Sequence, residues 1–256
     1  CSIEFMLEVV QCRASVVTPT RDNRPCTMAD MRAFLACLFG ASQFKEGTDL
    51  WATTPIGLMN PPNFGRRIKK AKFDRIIRYL RRGPEGCEDE AGEDPWYPVR
   101  WMVDGFNKTR KRECKWGWCS IIDETMFAWR GKSGTGGMPH LSYIPRKPED
   151  LGCELKTLCD GTSGVMMYME IQEGKVRMNR KKWHQQYGAT TACTLRCLEE
   201  SGYAQKDRRP EEREPRTCGG DSWFAGLRTT RACDEEFGIK FIGPVKTNTK
   251  GFPRDA

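Results

Sequence analysis

Residues 120–137, SIIDETMFAWRGKSGTGG, hold two chemistries that exclude each other. Gly131–Lys132–Ser133 has the ending of a phosphate-cradling loop. Such a loop needs a glycine five positions before Gly131, and that position is Met126. It also needs a helix to follow, so that backbone N–H groups and the helix dipole face the phosphate. The next residues, GTGGMPHLSYIP, cannot start one. GKSGTGG is therefore expected to be a turn between strands. The second chemistry is a carboxylate on a strand. Asp123 is preceded by Ile121 and Ile122 and followed closely by Met126 and Phe127. A charge buried on a central strand needs a partner, and a metal ion is one. The plainer reading is an edge-strand Asp facing water. Strand alternation directs Glu124 to the opposite face from Asp123, which excludes it as a co-ligand.

A second acid bears on the choice. Asp221, in CGGDSWFAGLR, stands where a helix is about to begin. As an isolated residue it is an ordinary N-cap. A strand-borne Asp with a second Asp after the next α/β crossover is also the carboxylate arrangement of RNase H-like nucleotidyl transferases. There, carboxylates hold two divalent ions that activate a nucleophile and stabilise the leaving oxygen.

The elements that must position these residues follow from period and punctuation. TMADMRAFLACLFG is expected to be a helix capped by Thr27 and Asp30 and stopped at Gly40, with Met31, Leu35 and Leu38 on one face beside Phe34. Residues 66–82, RRIKKAKFDRIIRYLRR, form a basic helix with an apolar stripe of Phe73, Ile76, Ile77 and Leu80, ended by Gly83–Pro84. A third amphipathic helix spans 99–113. The period changes near Cys114. Residues 118–131 are β-branched and aromatic, and 152–161 with 164–174 form a hairpin. Residues 191–202 read as a helix, 206–216 as a charged loop, 224–238 as a helix ended by Gly238, and 239–248 as a strand. The expected organisation is α/β: a mainly helical N-terminal region over 1–117, then a mixed-sheet domain over 118–256.

The 256 residues carry a net charge of +8. The segment 66–82 has nine Lys or Arg against Asp74, and 85–94 has six acids and no base. A dense basic segment suggests a polyanionic partner, with Arg66, Arg67, Lys69 and Lys70 as phosphate contacts. A solvated helix face followed by an acidic linker accounts for the charge equally well. The mean hydropathy of −0.64 is that of a soluble chain, and no run is long enough to cross a bilayer. Thirteen cysteines occur without any C-x-x-C, and only His140 and His184 could complete a zinc site. Reduced thiols used as small buried hydrophobes are the preferred reading. The chain opens on Cys1 rather than Met, so its true start is expected upstream, where a targeting signal is neither seen nor excluded.

Several blocks in order resemble the piggyBac transposases and their transposable-element-derived relatives. FDRIIRYLR (73–81), DPWYPVRWMVDGFNK (94–108), IIDETMFAWRGKSG (121–134), YIPRKPEDLGCELKTLCDGTSGVM (143–166), GGDSWFAGLRTTR (219–231) and GIKFIGPVKTN (238–248) carry the similarity. The resemblance implies an N-terminal helical domain for DNA binding and dimerisation, followed by the first part of an RNase H-like catalytic domain. It implies that Asp123 and Asp221 are the first and second metal-binding, catalytic aspartates of a two-Mg2+ site. It adds Arg146 and Lys147 to the expected DNA contacts. In the intact family these parts cut double-stranded DNA at transposon ends and join it at TTAA targets in the nucleus, as a homodimer and with no membrane association. Three departures stand out. The third Asp is expected beyond the end of this chain, since Asp255 comes too early. The family's cysteine-rich C-terminal domain is absent. The stretch before Asp221, EREPRTCGG, has the Pro and Gly content of a failed strand, which suggests a decayed copy. A catalytically inactive, domesticated DNA-binding protein is therefore the alternative. With two carboxylates, at most weak single-ion binding and no strand cleavage are expected, and any third ligand would come from Glu154, Asp160 or Asp234.

Overall fold

A computed structural model describes residues 3–16, 25–45, 47–55, 61–80, 94–129, 131 and 138–244. The chain divides into two compact units, Cys1–Met102 and Val103–Ala256.

The first unit is helical. It contains α1 (Ile3–Val16), α2 (Met28–Ala41) and α3 (Lys70–Leu80), and α4 (Tyr97–Glu113) begins in it. Thr27 caps α2 as its sequence requires. The Thr27 hydroxyl accepts from the Asp30 N–H at 3.2 Å, and the Asp30 carboxylate accepts from the Thr27 N–H at 2.9 Å. The buried face of α2 is Met31, Phe34 and Cys37, with Leu35 partly buried against the same core; Met31, Phe34 and Leu35 are where expected, while Leu38 is exposed and Cys37 takes its place. A three-residue step from Phe34 reaches Cys37, one position before Leu38. The expected stop at Gly40 is overrun by one residue. The basic segment does not become one continuous helix from 66. Asn63 adopts a left-handed conformation (φ 45°) and opens a 3-10 turn over Phe64–Arg66, so α3 starts only at Lys70. Phe73, Ile76, Tyr79 and Leu80 of α3 pack with Phe34, Ile68 and Val10 in the core of this unit. Residues 81–93, including the expected stop at Gly83–Pro84 and nearly all of the acidic run, lie outside the described residues.

The second unit is α/β. Its strands are β1 (Cys119–Ala128), β2 (Ser142–Tyr143), β3 (Leu151–Asp160), β4 (Met166–Ile171), β5 (Thr217–Gly220) and β6 (Lys240–Ile242). Its helices are α5 (Lys175–Met178), α6 (His184–Tyr187), α7 (Ala189–Glu200) and α8 (Leu227–Phe237). One mixed sheet runs β4–β3–β1–β5–β6, with β2 beside β4 on the outer edge of β3. β1, β3 and β4 are antiparallel neighbours, while β5 and β6 run parallel to β1. This is the mixed sheet that the resemblance implies. Ile122, Leu158, Leu195, Leu198, Tyr203, Phe224, Phe237 and Phe241 fill the core between the sheet and the helices α7 and α8. β3 does not alternate as expected: Gly152, Cys153 and the run Leu155–Leu158 are buried on both faces. Gly238 ends α8 in a left-handed conformation (φ 68°), as expected. The final strand stops at Ile242, and the rest of the expected 239–248 strand lies largely outside the described residues, as does 132–137 of GKSGTGG.

The failed-strand reading of EREPRTCGG is overturned. Pro215 precedes the ladder, which begins at Thr217, so no strand hydrogen bond is lost to it. The glycines are needed because other side chains occupy the space of their missing Cβ atoms. A Cβ on Gly220 would lie 3.0 Å from Ile122, Phe224 and Phe241 side-chain atoms, and one on Gly219 would lie 2.9 Å from the end of Ile121. The hydroxyl of Tyr203 closes the same seam, 2.8 Å from the Trp118 carbonyl and 2.7 Å from that of Thr217.

Candidate metal centre

β1 is paired on both edges over its first half, to β3 along its length and to β5 over Cys119–Ile122. The Trp118 carbonyl accepts from the Thr217 N–H at 2.9 Å, so the even-numbered residues of β1 turn their backbone groups toward β5. The last β1–β5 pair is Ile122 with Gly220. The N–H of Glu124 therefore points past the end of β5, where no strand partner remains. The Asp123 carboxylate curls over this edge and accepts that N–H at 2.7 Å. Asp221 follows β5 directly. Its Oδ1 accepts from the Trp223 N–H at 2.8 Å, and its carbonyl accepts from Phe224 and Ala225 at 3.0 and 2.9 Å. Asp221 thus heads a tight turn and does not cap α8, whose N-cap is Gly226.

This geometry gathers three acids. One carboxylate oxygen from each of Asp123, Glu124 and Asp221 lies within 4.8 Å of the others. The exclusion of Glu124 by strand alternation is therefore corrected. Alternation does hold for burial, since Asp123 is exposed and Glu124 is buried with Ile122. It does not limit reach at a strand edge that its neighbour has left open. None of the alternative third ligands joins this group among the described residues. Glu154 is 2.7 Å from Lys156, Asp234 is 2.7 Å from Lys240, and Asp160 accepts from Gly117 and Ser163 to close the β3–β4 turn.

The three acids differ in surroundings. Lys156 lies opposite Glu124 in the β1–β3 register, and its buried ammonium is 3.4 Å from Glu124 Oε1. Arg146 reaches the same oxygen at 3.8 Å, and Lys147 approaches the Glu124 carbonyl at 3.4 Å. Glu124 Oε2 is buried without a hydrogen-bond partner. Burial pushes the Glu124 carboxyl above the usual carboxylate range against the pull of Lys156, and the neighbouring Asp123 and Asp221 push it further. Three hard oxygen donors, one otherwise unsatisfied, suit a divalent cation such as Mg2+.

The expected DNA contacts fall into two groups. Arg146 and Lys147 stand beside the carboxylates in the second unit. Arg66, Arg67, Lys69 and Lys70 are exposed in the first unit, around the buried Ile68, with Lys70 also paired to Asp74 at 2.8 Å. Beside the two aspartates, Glu124 is a residue that sequence reasoning set aside and Lys156 one that it missed. Their signal was a cross-strand charge pair, visible only once the register is known.

A second group, Glu170, Cys193 and Cys197, also converges within 4.8 Å and is fully buried. Glu170 is held there by Arg196 and Lys181, each at 3.0 Å. The Cys197 thiol is pushed well up by its hydrogen bond with Cys193 and by burial, so it stays protonated. The group is a buried ion-pair cluster lined by thiols.

Residues 4–256 match the DDE-type family described as Transposase IS4. Among solved structures, a piggyBac transposase synaptic complex with hairpin DNA, determined by cryo-EM, superposes with a TM-score of 0.72 at 19% identity. The match covers 98% of this chain and 49% of that one, so the chain spans about half the length of that transposase. At this identity the likeness is one of fold. No curated protein matches the chain.

Proposed function

This chain belongs to the Transposase IS4 family of DDE-type transposases, and on that premise we propose that it acts in divalent-ion-dependent cleavage and joining of double-stranded DNA. The observation that carries the reading is the convergence of Asp123, Glu124 and Asp221 within 4.8 Å at the open edge between β1 and β5. Asp123 and Asp221 are the catalytic, metal-holding pair, and Glu124 supplies a third oxygen. When bound there, Mg2+ supplies the Lewis acid that phosphodiester cleavage and strand transfer require. Arg146 and Lys147 hold the phosphates of the reacting strand next to the carboxylates. Arg66, Arg67, Lys69 and Lys70 grip the duplex through its backbone, without reading bases. Residues 1–117 serve DNA binding and dimerisation, and residues 118–256 carry the catalytic carboxylates. The resemblance to piggyBac transposases supports TTAA as the target, transposon ends as the cleaved DNA, a homodimer as the working form and the nucleus as the compartment.

The test measures Mn2+ binding and Mg2+-dependent nicking of a TTAA-flanked duplex. Both should be lost in D123N and in D221N. Nicking that survives D123N, or needs no divalent ion, overturns the assignment. Because the third acid is expected beyond residue 256, nicking is read on protein that extends past it; tight duplex binding without nicking there would favour the alternative, a transposase-derived DNA-binding protein without catalysis.

A further inference from the structure

Lys156 carries a charge in the interior of the sheet. It is 2% exposed, and its ammonium is held from three sides. Glu124 of β1 lies at 3.4 Å, Glu154 of its own strand at 2.7 Å, and the Trp223 ring centroid at 3.7 Å. Trp223 stands two residues after Asp221, and its N–H is donated to the Asp221 carboxylate. One cation thus touches both segments that bring carboxylates to the site: β1 through an ion pair, and the turn after β5 through an aromatic face. A buried ammonium keeps its charge only where such partners are fixed in place, and a cation over an indole ring is attracted to its face.

We propose that Lys156 is the positioning residue of the carboxylate site, a cross-brace that fixes Glu124 and the Asp221 turn at the separation an ion requires. The proposal rests on the carboxylates being a cation site. It sets positioning against simple charge. As a mere positive charge near the site, Lys156 would oppose cation binding, and its removal would tighten it. As a brace, its removal loosens the ligands and weakens binding. Outer partners that orient metal ligands contribute about 10- to 100-fold in affinity.

The experiment titrates EDTA-stripped protein with Mn2+ and follows the free ion by electron paramagnetic resonance. K156M should weaken Mn2+ binding about 10-fold or more. W223L, which removes the aromatic face and leaves Lys156 in place, should weaken it several-fold. W223F, which keeps an aromatic face, should retain most of the affinity. A K156M protein that melts cooperatively and binds Mn2+ as well as or better than wild type overturns the proposal. If K156M fails to fold, W223L decides, and unchanged affinity there overturns it. Wild-type Mn2+ binding that D123N leaves intact, or no binding at all, would overturn the cation-site reading itself.

Discussion

Neutralising Asp123 should stabilise the protein in the absence of divalent ions and remove its response to them. Two unit charges 4.8 Å apart repel by about 3 kcal/mol at an effective dielectric of 20 and by about 1 kcal/mol in bulk water. Asp123 is exposed, which places it toward the lower figure, and Glu124 is already offset by Lys156. The net relief in D123N is therefore about 1–2 kcal/mol. The substitution keeps Oδ1, so the hydrogen bond from the Glu124 N–H is retained. For a domain of this size, that relief raises Tm by about 2–8 °C. An ion bound to the native site at 100 times its Kd would add about 2.7 kcal/mol to wild type and little to D123N. The two proteins should therefore exchange rank: D123N melts higher in EDTA, and wild type gains the more from saturating Mg2+ or Mn2+. Differential scanning calorimetry in both buffers reads this directly. D123N melting at or below wild type in EDTA, or equal ion-induced gains in the two proteins, would refute the reasoning.

The remaining expectations use other parts of the structure. E124Q should, like D123N, preserve or raise stability in EDTA, because burial and the neighbouring Asp123 and Asp221 disfavour a charged Glu124, while Lys156 keeps Glu154 at 2.7 Å and the Trp223 face; a marked loss of stability on chemical denaturation would contradict this. G220A should cost about 1–3 kcal/mol by overpacking against Ile122, Phe224 and Phe241, while G219A should cost less because the flexible end of Ile121 can move. Burial alone would raise the Glu199 carboxyl, but hydrogen bonds from Lys182, Lys206 and Trp183 outweigh it and hold it at about 2. Its stabilisation is therefore full above the ordinary value of 4.5 and is lost as pH falls from there through about 2, and E199Q should flatten that acid limb of an unfolding curve. Replacing Arg66, Arg67, Lys69 and Lys70 with Ala should weaken binding to all duplex sequences alike and flatten the salt slope by about 0.9 for each phosphate no longer neutralised. An unchanged slope would leave that segment as surface.

What the sequence disclosed was local. Thr27 and Asp30 marked the start of α2 because a capping box is written in four consecutive residues. The β3–β4 hairpin and the Gly238 stop were legible for the same reason. The start of α3 was not, because the left-handed turn at Asn63 that delays it has no required residue type. The meeting of Asp123 with Asp221 depends on a parallel pairing across nearly a hundred residues, and it was anticipated by likeness to known arrangements, first the RNase H-like carboxylates and then the family blocks, not by local pattern. Glu124 was lost to a rule applied beyond its range. Alternation fixes which face a side chain leaves from, but not where a long one arrives once the neighbouring strand has ended.

The glycines before Asp221 show how a missing side chain misleads. In the sequence they are absences, and absences in a strand suggest decay. In the sheet, the space is taken by Ile121 and Ile122 of β1, by Phe224 of the turn and by Phe241 of β6. These neighbours come from three separate segments, so no window of sequence contains the reason for the glycines. Their closeness sets how near β5 lies to β1, and Asp221 is the next residue along. A side chain at 220 would have to move one of those neighbours or push β5 away, and Asp221 would move with it. The residues that argued against a working strand are thus the ones that let the two aspartates meet. The same reasoning ties the G220A prediction to the site, because any outward shift of β5 widens the carboxylate triangle as well as the core.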